Sequence, residues 1–335
     1  MYQDRVLSGM RPTGALHLGH YHGALKNWVR LQNEYPCLFF AADWHALTTH
    51  YEDPSVIEGA VWEMFIDWLA AGVDPGKSTL FIQSRVPQHA ELTMLLWFFA
   101  PLSWLERVPT YKDLLVRHAE QGRDVLTYGF LGYPLMQAAD IMIYRANKVP
   151  VGEDQVPHIE FTREMARRFN HLFGREKGFE EKAEAAIKKM GPKKAKLYRA
   201  LRQKFQEQGD EAAMDEAQAL GEDVQNLSLG DNGRLYRYVE GGGRMILAES
   251  ESLLTETPKL LGLDGQKMSK SAGNAVMLRD APEAVTQKIR RMQTDPARVR
   301  RTDPGNPERC PVWNLHQVYS DAATREWVWQ GCTTA

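Results

Sequence analysis

Val6-Leu7-Ser8-Gly9-Met10-Arg11-Pro12-Thr13-Gly14-Ala15-Leu16-His17-Leu18-Gly19-His20 opens on a short apolar run, crosses a glycine-containing turn and enters a helix. Val6–Gly9 reads as a strand. Tyr21, Ala24, Leu25, Trp28 and Leu31 fall at helical spacing on a helix that starts near Leu18–Gly19. At the end of a parallel strand, such a turn suits a phosphate, because free backbone N–H groups and the helix dipole favour an anion. Gly19 would let a flat base or ribose lie against the backbone. His17 and His20 would donate hydrogen bonds to phosphate oxygens as charge builds in an in-line displacement. The plainer alternative is two helix-start histidines, one solvated and one capping.

Further along, Cys37-Leu38-Phe39-Phe40-Ala41-Ala42 and Leu80-Phe81-Ile82-Gln83 read as strands, with a helix over Asp53–Ala71 whose first turn takes Pro54. Strand, helix, strand, helix, strand is the pattern of a parallel α/β sheet. A helix over Pro134–Tyr144, the strand Val149–Val151 and a helix from Asp154 to Asn170 continue it. From Phe173 to Leu220 the chain is rich in Lys, Glu, Ala and Gln and reads as two exposed helices. Arg234–Glu240 and Arg244–Ala248 read as a β-hairpin about Gly241-Gly242-Gly243. Segment 173–248 is therefore expected to be an insertion. It is either an RNA-contacting or dimer-edge element or, as charge runs favour, a solvated decoration. Beyond Pro282 the chain is helical and locally basic, with Arg290, Arg291, Arg298, Arg300 and Arg301.

The chain has 335 residues, 43% apolar and 25% charged, enough for two domains. Its net charge of −2 means that a nucleic-acid partner would have to be met by local basic patches. Met1–Leu7 lacks the apolar core of a signal peptide, and Pro101 interrupts the longest apolar run, so no membrane span is expected. Cys37, Cys310 and Cys332 do not make a disulfide framework. The cytoplasm is the expected compartment.

A second chemical string, Lys267-Met268-Ser269-Lys270-Ser271, lies between Gly262, Gly265 and Gly273. Two lysines on a glycine-bounded loop can swing onto a triphosphate and follow its charge to the leaving pyrophosphate, and binding that strengthens in the transition state raises rate. Ser269 and Ser271 add small donors. A lysine–serine loop by itself is common on surfaces.

Together, His17-Leu18-Gly19-His20 and Lys267-Met268-Ser269-Lys270-Ser271 resemble the HIGH and KMSKS signatures of the class I aminoacyl-tRNA synthetases. The resemblance implies a Rossmann-type catalytic domain over 1–172 and 249–285, and a helical anticodon-binding region beginning in 286–335. It also implies ATP with Mg²⁺, an aminoacyl-adenylate, transfer to the 3′-terminal adenosine of tRNA, and a homodimer. No protein nucleophile is needed: catalysis is positioning and electrostatic stabilisation at the α-phosphate. His17, His20, Lys267 and Lys270 would be catalytic. Arg11, Thr13, Gly19, Gly152, Asp154, Met268, Ser269 and Ser271 would meet ATP.

Ser8–Gly14 is similar to the tryptophan and tyrosine branch. Val149-Pro150-Val151-Gly152-Glu153-Asp154-Gln155 and Tyr133–Ile141 resemble its tryptophan members, which implies L-tryptophan and tRNA(Trp) as substrates. Asp140 stands among Ala138, Ala139, Ile141, Met142 and Ile143, where a buried carboxylate needs a donor such as an indole N–H. A helix cap or core ion pair is its alternative reading. By the resemblance Leu7, Val149 and Val151 line the indole pocket, Tyr133 and Gln155 hold the α-amino group, and His45 lies near the carboxylate. Gln137 stands where many tryptophan members have Met, and Arg11 where some have Gln. Tyrosine as substrate and an inactive synthetase-like binding protein are the rival readings. Cys310 and Cys332 match half of a four-cysteine iron–sulfur pattern of some bacterial members; two unrelated thiols are the alternative.

Overall fold

The computed structural model describes residues 4–108, 127–174, 177–241, 246–254, 260–270, 272–300 and 302–334. Five strands, β1 (Val6–Met10), β2 (Cys37–Ala41), β3 (Ser78–Ile82), β4 (Lys148–Val151) and β5 (Glu251–Leu254), form one parallel sheet. Their order is β3-β2-β1-β4-β5. Side chains alternate across the sheet. Val6, Phe39 and Ala41 enter one layer with Leu25, Trp28, Met64 and Trp68, while Leu7, Phe40 and Val149 enter the other with Ile141 and Ile159. Both faces are covered at the centre of the sheet, which is why β2 reads as an unbroken apolar run. In the first layer Trp28 stacks on Phe39 at 4.3 Å between ring centroids, and Trp68 meets Trp28 edge-on at 5.0 Å. Each such ring contributes roughly 1.5–3 kcal/mol through burial.

The helix after β1 has three pieces: α1 (Leu18–His20), a π-helical stretch (Tyr21–Leu25) and α2 (Lys26–Leu31). The sheet is then flanked by α3 (Asp43–His50), α4 (Ser55–Ala70), α5 (Gln88–Trp97), α6 (Leu102–Arg107), α7 (Tyr128–Leu131), α8 (Tyr133–Ile143) and α9 (Val156–Phe173). The expected helices over Asp53–Ala71 and Pro134–Tyr144 are found with bounds shifted by a residue or two. No helix among the described residues is long and apolar enough to cross a membrane.

Segment 173–248 departs from expectation. It contains α10 (Phe179–Lys189), α11 (Gly191–Gln208), α12 (Glu211–Glu222) and α13 (Leu229–Val239), packed about Ile187, Tyr198, Leu201, Leu235 and Val239. Three helices thus occupy the stretch read as two. The expected hairpin is incorrect: most of Arg234–Glu240 continues α13. Leu235 and Val239, four apart, both enter this small core, and Ser228 with Asp231 forms a capping box at the helix start. Helical burial outweighs the turn signal of the glycines. Residues 242–245 lie outside the described residues, and the strand of this region is β5, further on. Helices α14 (Pro282–Arg290), α15 (Pro311–Tyr319) and α16 (Ala322–Thr333) make the C-terminal part helical.

Candidate active site

A cavity of about 720 Å³ opens at the carboxyl ends of β1 and β4, where the strand order reverses direction. Ligands of open parallel sheets bind at such a switch point. Leu7, Phe40, Ile141, Val149 and Val151 give it apolar walls. Arg11, Thr13, His20, His45, Tyr133, Gln137, Asp140, Gly152, Gln155 and Lys267 also line it. Residues from both ends of the chain therefore meet in one space: His20 of the first string and Lys267 of the second line it, whereas His17, Gly19, Met268, Ser269 and Lys270 do not. Asp154 lies in the 3-10 turn after Gly152. Ser271 lies outside the described residues.

Asp140 on α8 is 1% exposed and gathers three donors. His45 Nε2 donates to its Oδ2 at 2.7 Å, while Gln83 Nε2 at 2.8 Å and His89 Nδ1 at 2.6 Å donate to Oδ1. Burial pushes the Asp140 carboxyl up, but the charge and hydrogen bonds of His45 and His89 outweigh it and leave it below its ordinary value. The far nitrogen of His89 meets the Tyr144 hydroxyl at 2.8 Å. Burial and then Asp140 push that phenol up to about 12, so it stays protonated and shares a hydrogen bond with the His89 ring. A carboxylate offers about four lone-pair positions, so one remains for a ligand. Gln83 and His89 were not singled out in the sequence: Gln83 directly follows β3, while His89 lies in the first turn of α5.

His45 Nε2 is thereby committed to Asp140. Its Nδ1 and the Gln137 Oε1 are buried polar atoms without a hydrogen-bond partner among the described residues, and both side chains line the cavity. Buried polar atoms left unpaired cost about 1–3 kcal/mol each, so a polar ligand would satisfy them. Arg11 reaches Thr49 Oγ1 through Nη2 at 2.6 Å, and Tyr133 packs edge-on against His45 at 4.4 Å.

Both signature histidines act as caps. Gly19 N–H donates to His17 Nδ1 at 3.1 Å, and His17 N–H to His20 Nδ1 at 3.3 Å. With Nδ1 accepting, each neutral ring carries its proton on Nε2 and keeps that N–H as a donor. What Gly19 makes room for here is the His17 ring: a β-carbon would stand 2.8 Å from its Cε1. Burial and then Lys270 lower His17 to about 4, and burial, then His17 and Lys270, lower His20 to about 3. Both are neutral donors at pH 7, not cations. A depressed histidine binds its proton in the unfolded chain first, so the stability tied to it is intact above about 6.5 and is lost as pH falls toward 4. The urea midpoint is expected to drop between pH 7 and pH 5, and less so in His20→Asn, which keeps a capping oxygen. Equal drops would show that these rings do not set the acid sensitivity.

Lys270 is already docked rather than swinging free. Its ammonium donates to the carbonyls of Thr13 at 2.5 Å and Ala15 at 2.8 Å. Asn274, buried and missed in the sequence, holds the loop: its Oδ1 accepts from Ser269 N–H at 2.8 Å and its Nδ2 donates to Asp264 at 2.7 Å. Gly262 permits this, since a β-carbon would lie 2.4 Å from the Asn274 amide. The Met268 side chain packs with Leu260, Ala275, Leu18 and Leu315, so any part it has in meeting ATP falls to its backbone.

The family model for class I tRNA synthetases (W and Y) matches residues 3–194 and 212–328. The chain is 67% identical over its whole length to the tryptophan--tRNA ligase of Ralstonia nicotianae, covering 83% of that protein. The chain belongs to the class I tRNA synthetases of the W and Y branch. The tryptophan--tRNA ligase of Thermotoga maritima is 45% identical over 99% of this chain and 80% of its own length. Among solved structures, tryptophanyl-tRNA synthetase from Campylobacter jejuni, complexed with ADP and tryptophan, superposes with a TM-score of 0.66. It is 24% identical, over 99% of this chain and 80% of that one. Tyrosyl-tRNA synthetase from Archaeoglobus fulgidus gives 0.56 at 20% identity, over 95% and 72%. The class I synthetase fold is thus common to both specificities, and specificity has to come from the pocket.

Cys310 and Cys332 are both half-buried, and Cys332 Sγ sits where a β-carbon on Gly305 would fall. No three His, Cys, Asp or Glu side chains gather as metal donors among the described residues.

Proposed function

We infer that this chain is a tryptophan--tRNA ligase. It activates L-tryptophan with ATP to tryptophanyl-adenylate and pyrophosphate, then transfers the amino acid to tRNA(Trp). The full-length 67% identity to a tryptophan--tRNA ligase carries this reading. An apolar cavity ending in the Asp140 carboxylate, Gln137 Oε1 and His45 Nδ1 suits an aromatic amino acid with several N–H donors.

In the first step a tryptophan carboxylate oxygen attacks the α-phosphorus and the bond to pyrophosphate breaks. His17 and His20 would offer Nε2–H groups to the phosphates, and Lys270 its third N–H. Lys267 reaches the same cavity from the loop. Mg²⁺ would travel on the triphosphate oxygens, as this hard cation usually does, and supply charge neutralisation there. In the second step a ribose hydroxyl of the terminal adenosine attacks the activated carbonyl and AMP leaves.

The exposed Arg290, Arg291 and Arg300 would supply local positive charge to tRNA. Within 173–248 some charges pair with one another: Lys189 with Asp231, Lys194 with Asp223, Arg199 with Glu184 and Lys204 with Asp210. Such exposed pairs suit a solvated helical unit. A homodimer would cover the exposed Leu95, Trp97, Phe98 and Leu102, of which Phe98 is 80% exposed. Sedimentation at twice the chain mass is expected, and Phe98→Glu should yield a monomer; a monomeric parent would refute it. The cytoplasm, where tRNA is charged, is its expected place.

ATP–pyrophosphate exchange tests the function. Exchange with tryptophan alone is expected. Exchange with tyrosine would reassign the substrate, and none with either amino acid, from folded protein that binds ATP, would favour an inactive homologue.

A further inference from the structure

Asp67 lies near the C-terminal end of α4 and is 1% exposed, yet neither signature string contains it. Its two oxygens reach two distant segments. Oδ2 accepts from the Leu16 backbone N–H at 2.6 Å, one residue before His17. Oδ1 accepts from Arg279 Nε at 2.6 Å, just beyond the lysine loop. Arg279 also donates to the carboxylate and the backbone carbonyl of Glu63, one turn earlier on α4. Between these anchors the two segments pair directly. Leu18 N–H donates to Val276 at 3.0 Å, Leu278 N–H donates to Leu16 at 2.9 Å, and His17 stands opposite Met277.

We propose that Asp67 and Arg279 are positioning residues: a buried clamp that sets the His17–His20 turn against the Lys267–Lys270 loop, so that both strings present their donors to one triphosphate together. Three observations support it. The carboxylate binds both sides of a short ladder rather than either side alone. That ladder runs from Leu16 to Leu18, across His17, on one strand and from Val276 to Leu278 on the other, starting six residues after Lys270. Lys270 itself bridges to the same turn through Thr13 and Ala15, so clamp and ammonium hold the joint from two sides. Charge acts in the same sense: burial lowers the Lys270 ammonium pKa, and Asp67 opposes that shift.

The inference rests on the adenylating function proposed above, and its test separates the two. The variants are Arg279→Ala, Arg279→Lys and Asp67→Asn, each with and without Lys270→Ala. The readouts are tryptophan-dependent pyrophosphate exchange, equilibrium binding of tryptophan and of ATP, and the thermal midpoint. The Arg279 side chain is 36% exposed, so Arg279→Ala leaves no core cavity. In it kcat is expected to fall about tenfold while the tryptophan Kd stays within about twofold, the split left by a misplaced catalytic group. ATP should bind about fivefold more weakly. Arg279→Lys should recover part of the loss. In the Lys270→Ala background Arg279→Ala should cost little more, because both act on one joint. Unchanged kcat and ATP binding in Arg279→Ala, or the same tenfold loss with Lys270 already absent, would overturn the clamp. A parent chain without exchange would sink the proposed function instead, and ATP binding by the same variants would still decide the clamp. If Asp67→Asn does not fold, the Arg279 variants carry the test alone.

Discussion

Asp140→Ala is expected to weaken tryptophan binding by about 10²-fold or more, since a site built around a polar contact rejects a ligand strongly once that contact is unpaired. The same change should lower stability by about 3 kcal/mol, because three donors lose their acceptor in a dry interior. Asp140→Asn is the sharper variant. One amide oxygen can replace one carboxylate oxygen, but the amide nitrogen then faces either His45 or the pair Gln83 and His89, all of them donors in this structure. Its carboxyl lies below its ordinary value, so the stability it contributes is full above about pH 4 and is lost as pH falls through the depressed value. Titration calorimetry with tryptophan and with ATP, beside a thermal melt, separates the outcomes. Weak tryptophan binding with ATP binding intact makes Asp140 the indole acceptor. A lower melting point with unchanged tryptophan affinity would make it the hub of a core ion network and nothing more. His89→Ala should reproduce part of either result, since it removes one donor and strands the Tyr144 hydroxyl.

The legible parts of this molecule are those where burial and periodicity agree. The run from Val6 to Leu31 announces strand, turn and helix because Trp28 and Leu31 must reach the layer that Val6 and Phe39 also enter. Asp140 was visible because a carboxylate flanked by buried alanines and isoleucine needs an explanation. Its partners were not, since Gln83 and His89 lie more than fifty residues earlier and only the sheet brings them in. The edge strand β5 was missed for a related reason: half-exposed, with Glu251 and Leu254 facing solvent, it shows no apolar alternation. The π-helical Tyr21–Leu25 keeps the side-chain pattern of an ordinary helix and so hides from it. Arg234–Glu240 misled because three glycines imitate a hairpin turn, while the helix is written in the spacing of Leu235 and Val239. At the catalytic strings, residue types pointed to phosphate chemistry, but the alternatives proved not to exclude each other: His17 and His20 cap the helix and keep Nε2–H free at the same time.

That double role makes the Lys270 and histidine variants the next decisive set. An ammonium has three donors. Two of them are spent on Thr13 and Ala15, so Lys270 can add a phosphate oxygen without leaving its seat. Lys270→Ala is therefore expected to cut pyrophosphate exchange by about 10²–10³-fold, the scale seen when one donor to developing charge is removed, with tryptophan affinity nearly unchanged. Lys270→Arg should rescue little, because a planar guanidinium cannot replace a compact charge seated between two carbonyls. The histidines can be split by atom. His20→Asn keeps an acceptor where Nδ1 caps the His17 N–H and loses the reach of Nε2, so it should fold normally and lose activity. His20→Gln keeps the reach and loses the cap, so it should melt earlier and retain more activity per folded molecule. If the asparagine variant is the active one, His20 is a helix cap and the phosphate is held by Lys270 and His17. If Lys270→Ala leaves exchange intact, the docked ammonium is a structural brace between loop and turn, and the charge at the α-phosphate must be met by Lys267.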